Sequence, residues 1–491
     1  MYLGLDLGTS GLKGVLIDEQ GRVLGQSSAS LVVTTPFSTW SEQDPTSWWQ
    51  ACRDVIADLK KTFDLSLLKG IGLSGQMHGA TLLDKKGQVL RPCILWNDGR
   101  SQDQCLAMMD EFPELIDKSG NLAMPGFTAP KLRWVKENEP DVFAKTAFVL
   151  LPKDYLAYKL TGSISSDYSD ASGTLWLNPS ARCWDEELLS ASSLSKSNMP
   201  KLFEGCDVVG RLTEKSSKEL GVPQVPLVAG AGDNAAGAIG MGVVNSGQGI
   251  ISLGTSGVYF AVSDSHKANP RNTVHAFCHA LPNRWHQMGV TLSAANCLGW
   301  YADLVDESVP KLLERLEQAN ILETSVVFLP YLNGERTPHN DANASGQFFG
   351  LSSNTNQADM VLAILEGVAF SLLDCQEVLI DAGSDVENLS LIGGGARSPL
   401  WRQIIANVLG KTLFYREGGE IGPAVGAARL ALIGVEYNLG GNIEGLIEQH
   451  CYMPDVIVTH NPNLDLAEYY QNKFCTYKSL YQLTKSLNKE S

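Results

Sequence analysis

Hydrophobic and polar positions alternate along this chain with two periods, one typical of strands and one typical of helices. Asp44 and Pro45 suit the cap and first residue of a helix, and apolar residues recur from there to Leu59 at helical spacing. The same spacing predicts three further helices, over residues 359–374, 400–409 and 464–487. Apolar runs predict strands over residues 68–74, 87–95 and 388–392. Strands that alternate with helices indicate an α/β architecture.

A pentapeptide, Leu-Gly-Thr-Ser-Gly, occurs twice, at residues 7–11 and 253–257. Each copy has an apolar run before it and another after it, which predicts a hairpin of two strands joined by a tight turn. Because each copy opens about half of the chain, the repeat predicts two similar domains that face each other. From the repeat alone we place the domains at residues 1–243 and 244–491.

The composition restricts which kinds of molecule the protein is expected to bind and the compartment in which it is expected to work. The chain has 491 residues, of which 44% are hydrophobic and 19% charged, as expected for a folded protein of several domains. Its net charge is −16, so the chain lacks the broad basic surface expected of proteins that bind nucleic acids or anionic membranes. We expect no signal peptide and no membrane span, since Asp6 interrupts the first apolar run and Asp233 interrupts the longest one. Ten cysteines without a CxxC pair favour a reducing, cytosolic compartment.

The two Gly-Thr-Ser turns are candidate phosphate sites. Such turns can direct backbone N–H groups and hydroxyls at a phosphate, although a single copy is more often an ordinary hairpin turn. The spacing is neither that of a Walker A loop nor that of a dinucleotide-binding loop. Aligning the copies places Asp6 opposite Ser252, so only the first copy carries a carboxylate. A carboxylate there could hold Mg²⁺ directly or through water.

Residues 393–398, Gly-Gly-Gly-Ala-Arg-Ser, follow a predicted strand and precede a predicted helix. The turn could bind a nucleotide through its N–H groups and bare backbone, or it could simply be a tight connection.

Asp233 lies between an apolar strand and an Ala/Gly-rich helix. The residue could be the N-cap of that helix, or a general base that removes a proton from a substrate hydroxyl. Asn234 would add a hydrogen bond in the second case.

Two further segments offer ligand contacts at strand ends. Gln76, Met77 and His78 stand between glycines after one predicted strand, and Trp96 follows another, as an aromatic wall suited to a sugar. A lone histidine is nevertheless more often structural. The segment His275-Ala-Phe-Cys-His279 could bind zinc if it were helical, but a strand is as consistent with it and no second cluster supplies the missing ligands.

Taken together, these motifs resemble those of the FGGY carbohydrate kinases, which belong to the actin-like ATPase superfamily. The motifs stand in the family's order, at residues 6–11, 76–78, 233–234, 253–257 and 393–398. Two longer family signatures are present at residues 126–138 and 346–366. The resemblance runs from Leu3 to about Ile433, almost the whole chain.

The resemblance implies two RNase H-like domains flanking a central cleft that closes on ATP, Mg²⁺ and a sugar. It implies Asp233 as the catalytic base and Asp6 as a second catalytic residue that acts towards Mg²⁺, possibly through water. The implied substrate contacts are Gln76, Met77, His78, Trp96, Asp233 and Asn234. The implied ATP contacts are Gly8, Thr9, Ser10, Gly11, Lys13, Gly254, Thr255, Ser256, Gly394, Gly395 and Ala396. A cytoplasmic homodimer is also expected.

Within the family, the Met77-His78 pair is similar to the sugar loop of members that phosphorylate D-xylulose to D-xylulose 5-phosphate, whereas glycerol kinases have an Arg-Glu pair there. Four segments carry this likeness, at residues 40–45, 75–80, 94–100 and 328–338. Ribulose, glycerol and gluconate remain alternative substrates. A non-catalytic, actin-like nucleotide-binding module remains the alternative from another class.

Overall fold

The computed structural model describes residues 1–418 and 422–487. Its first large sheet contains seven strands: β1 (Tyr2–Leu7), β2 (Gly11–Ile17), β3 (Val23–Ser30), β4 (Gly70–Gly75), β5 (Val208–Arg211), β6 (Pro226–Val228) and β7 (Ala231–Gly232). The strand order is β5-β6-β4-β1-β2-β3, with β7 also paired to β4. The β1–β2–β3 meander is antiparallel, while β4 runs parallel to β1.

The second large sheet repeats this plan. Its strands are β8 (Gln248–Leu253), β9 (Gly257–Ser263), β10 (His275–Cys278), β11 (Trp285–Thr291), β12 (Asn388–Ile392), β13 (Leu413–Arg416) and β14 (Val456–His460), in the order β10-β11-β9-β8-β12-β13-β14. The β8–β9 hairpin is antiparallel and β12 runs parallel to β8, as β4 does to β1. The sequence repeat therefore marks equivalent hairpins, and the predicted pair of similar α/β domains is confirmed.

The helices cover the faces of both sheets and fill the connections between strands. They are α1 (Pro45–Leu59), α2 (Gln102–Glu111), α3 (Leu115–Ser119), α4 (Thr128–Asn138), α5 (Pro140–Lys145), α6 (Pro152–Thr161), α7 (Tyr168–Ser172), α8 (Glu186–Ser190), α9 (Glu214–Leu220), α10 (Asp233–Gly240), α11 (Ala295–Leu304), α12 (Val309–Ala319), α13 (Gln357–Asp381), α14 (Pro399–Leu409), α15 (Pro423–Asn438), α16 (Ile443–His450) and α17 (Ala467–Thr484). Five two-stranded ribbons complete the described strands: Glu42–Gln43 with Cys93–Ile94, Thr81–Leu83 with Phe148–Leu150, Ser165–Asp167 with Lys201–Phe203, Leu177–Asn178 with Cys183–Trp184, and Val327–Leu329 with Gln347–Phe349.

Two helices cross between the sheets. Although α15 belongs to the second half of the sequence, it packs on β1 and β4 of the first sheet. The second of these helices is α10, which follows the first sheet in the sequence. Its Ala238 shares a buried cluster with Ile250 and Phe260 of the second sheet. The contact is very close, because a Cβ atom at Gly426 of α15 would lie 1.8 Å from the carbonyl oxygen of Ala236. The two sheets are thus joined through a pair of helices in backbone contact.

This close contact predicts a large cost for one added methyl group. Gly426→Ala forces the two helices apart, so we expect it to destabilise the fold by about 3 kcal/mol. Gly299 is the matched control, since it also lies inside a helix but has nothing within 4 Å of its would-be Cβ. Gly299→Ala should instead stabilise the fold by about 0.5–1 kcal/mol through helix propensity. Thermal unfolding of both variants distinguishes these effects, and an unchanged melting temperature for Gly426→Ala would contradict the prediction.

Most predicted elements agree with the structure, with one clear exception. Asp44 caps α1 by accepting a hydrogen bond from the Thr46 N–H, and the predicted strand 388–392 matches β12. The predicted strand over 87–95 is wrong: only Cys93–Ile94 is extended, and Gly87 lies in a turn at φ 75°. Val89 forms an isolated bridge with Leu83, and Cys93–Ile94 pairs with Glu42–Gln43, so an irregular connection joins two short paired stretches.

Two further observations concern the cysteines and the helices that could span a membrane. All ten cysteines are unpaired, and eight of them are buried. Among the described residues, no helix has both the length and the apolar composition needed to cross a membrane.

Candidate active site

The two repeated hairpin turns have the same sequence but are closed by different backbone hydrogen bonds. In the first, the Gly8 N–H donates to the Gly11 carbonyl at 3.0 Å, and in the second the Gly254 N–H donates to the Ser256 carbonyl at 3.1 Å. Ser10, Thr255 and Ser256 are exposed, so their hydroxyls are open to a ligand. Each turn thus presents hydroxyl and N–H donors, as a pair of phosphate-binding loops would.

Thr9 differs from the other loop residues because its polar atoms are already used. Its hydroxyl donates to Gln76 Oε1 and accepts from Trp96 Nε1, both at 2.9 Å. Its carbonyl accepts from Gln43 Nε2 at 2.7 Å, and Gln76 Nε2 donates to Gln43 Oε1 at 3.0 Å. This network ties the first loop to the sugar-loop segment. Gln43 was not predicted as a site residue, although it lies in the segment 40–45 that carries part of the family resemblance.

Gln76 and Trp96, both predicted to bind substrate, occupy different environments. Gln76 is buried, at 2% exposure, behind the first loop. Trp96 is 44% exposed and forms a wall of the cavity described below. The structure therefore brings Trp96 to the cavity and places Gln76 one layer behind it.

Asp6 lies at the centre of the first sheet, on β1 beside the first loop. Its Oδ1 accepts a hydrogen bond from the Ser74 hydroxyl at 2.8 Å, and its backbone pairs with Lys13 across the hairpin. Burial raises the pKa of the Asp6 carboxyl, while Ser74 and Lys13 act in the opposite direction. Its Oδ2 accepts no hydrogen bond from residues 1–418 or 422–487 and is free to bind a ligand.

Asp233 is the first residue of α10, and the N-cap position belongs to Gly232. The N-cap interpretation of Asp233 is therefore wrong. Its Oδ1 accepts from the backbone N–H and the side-chain amide of Asn234, at 2.8 and 3.0 Å. Burial and, secondly, the nearby Asp6 raise the pKa of Asp233 to about 7, with the Asn234 hydrogen bond opposing them. A carboxyl poised near neutrality suits a general base.

Asp233 and Asn234 line two adjacent cavities. The first, of about 210 Å³, lies between the two sheets, and its walls include most of the predicted sugar contacts. Its lining residues are Met77, His78, Trp96, Asp233, Asn234, Ser256, Val258, His275, Phe277, Met288, Val290 and Arg336. The second cavity, of about 190 Å³, extends from Asp233 towards Ser252, Ile392 and Pro423. Asp233 is thus positioned between a candidate sugar cavity and a candidate nucleotide cavity.

His78 is held in one tautomer. Its Nδ1 lies 2.6 Å from the carbonyl oxygen of Gly173, which can only accept, so Nδ1 carries the proton. Burial lowers the pKa of His78 to about 3, so the ring is neutral at physiological pH. The remaining nitrogen, Nε2, is consequently a hydrogen-bond acceptor for a hydroxyl in the cavity. The backbone of His78 has φ 69°, a left-handed conformation that is unusual for a residue other than glycine. Such conformations occur often at functional positions.

The predicted adenosine contacts are only partly accessible. Gly394 is exposed, with open space where its Cβ would lie. Gly395 is buried against Leu253, and Ala396 is buried beside it. The structure thus brings Gly394 to the surface of the cleft and places its two neighbours underneath.

His275, first considered for zinc, lines the sugar cavity from β10. Cys278 ends the same strand, and no group of three or more His, Cys, Asp or Glu residues in the described part of the chain could hold a metal ion. Arg336 also lines the cavity and was not predicted. Its segment, 328–338, carried part of the family resemblance, but nothing in the sequence shows that a loop of the second half reaches the sugar loop of the first.

Two domain models of one family match the chain: the N-terminal domain of the FGGY family of carbohydrate kinases over residues 1–240 and its C-terminal domain over residues 249–435. The chain therefore belongs to the FGGY family of carbohydrate kinases. As such it is a phosphotransferase that uses ATP and has an alcohol group as acceptor.

Similar proteins indicate which sugar kinases within the family this chain resembles. A xylulose kinase of Escherichia coli is 48% identical over 483 residues, covering 98% of this chain and 99% of the relative. A solved xyloylose kinase from Brucella ovis matches with a TM-score of 0.94 and 46% identity, covering 99% of both chains. A solved gluconate kinase from Lactobacillus acidophilus also matches, with a TM-score of 0.91 and 26% identity, covering 98% of this chain and 97% of that one. The fold alone therefore does not select the sugar.

Proposed function

We propose that this protein transfers the γ-phosphoryl group of ATP to the 5-hydroxyl of D-xylulose, forming D-xylulose 5-phosphate and ADP. The observation that carries the proposal is Asp233, a carboxyl poised near neutrality between the sugar cavity and the phosphate loops. The xylulose kinase relatives support the choice of sugar. So does the wall around Met77 and the neutral His78, which lacks the charged pair of glycerol kinases.

In this mechanism, the sugar hydroxyl oxygen forms a bond to the γ-phosphorus while the bond to the β,γ-bridging oxygen of ATP breaks. The hydroxyl proton passes to the Asp233 carboxylate, and the bridging oxygen leaves with ADP. Because such a transition state is loose, the residues contribute mainly by positioning. Asn234 holds Asp233 through Oδ1, which leaves Oδ2 to take the proton.

The residues around Asp6 fit a magnesium ion. Asp6 and Asp233 repel one another electrostatically, and Asp6 retains a free carboxylate oxygen beside the first loop. One carboxylate suffices for Mg²⁺, because this ion keeps water and phosphate oxygens in its shell. When bound, Mg²⁺ supplies charge neutralisation to the phosphates. Asp6 would hold it, directly or through water.

The remaining predicted contacts divide by position. Ser10, Gly11, Thr255 and Ser256 would contact phosphates from the two loops. Lys13 and Gly394 would complete the nucleotide site, and closure of the cleft would exclude water from it. Gln76 would act on the sugar only by fixing Thr9 and the first loop. A cytoplasmic homodimer with domains 1–243 and 244–491 also stays a prediction.

The function is tested by ADP release with ATP and Mg²⁺ across D-xylulose, D-ribulose, L-ribulose, glycerol and gluconate, with a sugar-free blank. We expect D-xylulose to give the highest kcat/KM. A higher kcat/KM for another sugar would retain the kinase and overturn the substrate. No ADP release above the blank with any sugar would favour the non-catalytic module, which sedimentation with and without ATP would then test for nucleotide-driven assembly.

The raised pKa of Asp233 predicts the pH dependence of turnover. Since the base acts in its ionised form, kcat/KM for D-xylulose should fall about tenfold for each pH unit below about pH 7 and should be constant above that pH. The measurement is a pH–rate profile at saturating ATP. A profile flat down to pH 5 would contradict a base with this pKa.

A further inference from the structure

Among the described residues of the second domain, Arg336 is the one charged residue that lines the sugar cavity. Its guanidinium forms no hydrogen bond or ion pair with any residue of the described ranges 1–418 and 422–487. Its backbone is nonetheless fixed, because its carbonyl accepts from the Thr273 hydroxyl at 2.8 Å and from the Asn340 N–H at 2.6 Å. An unpaired guanidinium that lines a cavity has its hydrogen-bond donors available to a ligand bound there.

The neighbouring acid does not supply that partner. The Glu335 carboxylate is turned away and accepts from the Thr291 hydroxyl at 2.6 Å, from the Leu292 N–H at 2.9 Å and from the Arg336 backbone N–H at 2.7 Å. Burial lowers the pKa of the Arg336 guanidinium, with Glu335 opposing that effect. The cation therefore faces the cavity with its donors unused.

Arg336 lines only the sugar cavity, whereas Asp233 lies where that cavity meets the second one. The charge of Arg336 acts on His78 and His275, where it adds to the effect of burial in lowering the pKa of both rings. A sugar whose reacting hydroxyl meets Asp233 would thus direct its opposite end at Arg336.

We propose that Arg336 is a specificity-determining residue that donates hydrogen bonds to the C2 carbonyl oxygen and C1 hydroxyl of the ketose. This inference rests on the proposed function, in which C5 reacts. A guanidinium only donates, so it suits a carbonyl oxygen, which only accepts. In the corresponding polyol the carbonyl is replaced by a hydroxyl, a weaker acceptor that must also place its own hydrogen beside the cation.

The test compares D-xylulose with xylitol, which has the same five carbons but a hydroxyl at C2. Arg336→Gln should raise KM for D-xylulose about 10- to 100-fold, the effect of losing hydrogen bonds to a charged group. The ratio of kcat/KM for D-xylulose to that for xylitol should fall by at least about tenfold. KM for ATP should stay within about twofold, since the ATP loops are untouched. Arg271→Gln, an exposed arginine of the same domain, is the control and should leave both sugars unchanged.

Three outcomes would overturn the assignment: unchanged kinetics in Arg336→Gln, an equal loss for both sugars, or an effect on ATP instead. Arg336→Lys provides a second variant that keeps the charge and volume should the glutamine variant fail to fold. It loses the planar fork, so most of the ketose preference should disappear, and retention of that preference would equally overturn the proposal. A wild-type enzyme that phosphorylates neither sugar would instead mark failure of the proposed function.

Discussion

Replacing Asp233 with asparagine is expected to lower kcat by about 10²- to 10⁴-fold, the usual contribution of a general base. Asparagine keeps the size of the side chain and its contact with Asn234 but cannot accept the hydroxyl proton. Because the predicted ATP contacts lie in the two loops and at Gly394, the affinity for ATP should stay within about twofold. Single-turnover phosphorylation and nucleotide titration measure the two quantities separately. The exposed residue Asp141 supplies the control, Asp141→Asn, which should behave as wild type.

A second readout separates this loss of chemistry from a loss of structure. The folded pKa of Asp233 is about 7, above its usual value of 3.8, so the folded state binds the proton more tightly than the unfolded state. This group thus makes the protein most stable below pH 3.8 and progressively less stable as the pH rises towards 7. Asp233→Asn should therefore melt at a higher temperature than wild type at pH 8. Near-normal turnover in this variant, or a fall in its stability at pH 8, would contradict the assigned role.

The hairpin repeat shows why much of the fold could be predicted from sequence. A turn of glycine, threonine and serine between two apolar runs specifies a hairpin locally, and its exact recurrence at residue 253 indicates a second copy of the same topology. Chain order, however, does not show which sheet a helix covers. The helix α15 lies 170 residues beyond the start of the second repeat yet packs on the first sheet. That contact depends on Gly4 and Gly72, where an added Cβ would lie 1.9 Å from the carbonyl oxygens of Ala424 and Ala427.

Site residues could be predicted from the sequence where they lie in short motifs whose residue types suit the chemistry. Asp6, Asp233 and the two loops stand beside glycines in short motifs. In the structure Asp233 and Ser256 line the sugar cavity, and Trp96 of that cavity donates a hydrogen bond to Thr9 of the first loop. Arg336 lies in the segment 328–338, which carries part of the resemblance, but the sequence does not show that this loop of the second half reaches the sugar loop of the first. Gln76 shows the opposite limit: it lies within a motif, but only the structure reveals that its amide holds Thr9 and Gln43.

Asp6→Asn should produce the second large effect, a decrease of about 10²- to 10³-fold in kcat at fixed magnesium, similar to removing a group that stabilises transition-state charge. Asparagine can still accept from Ser74, so the β1–β4 contact survives while the negative charge is lost. The Mg²⁺ concentration for half-maximal activity should rise accordingly.

The same substitution should also change the pH profile. Asp6 is the second-largest cause, after burial, of the raised pKa of Asp233, so its removal should move the acidic limb of kcat/KM to lower pH. Ser74→Ala is the matched comparison, because it removes the hydrogen bond to Oδ1 but keeps the carboxylate charge. It should leave the acidic limb near its wild-type position and reduce kcat far less than Asp6→Asn does. An Asp6→Asn enzyme with the wild-type magnesium requirement and an unmoved acidic limb would show that Asp6 neither binds the cation nor acts on the base.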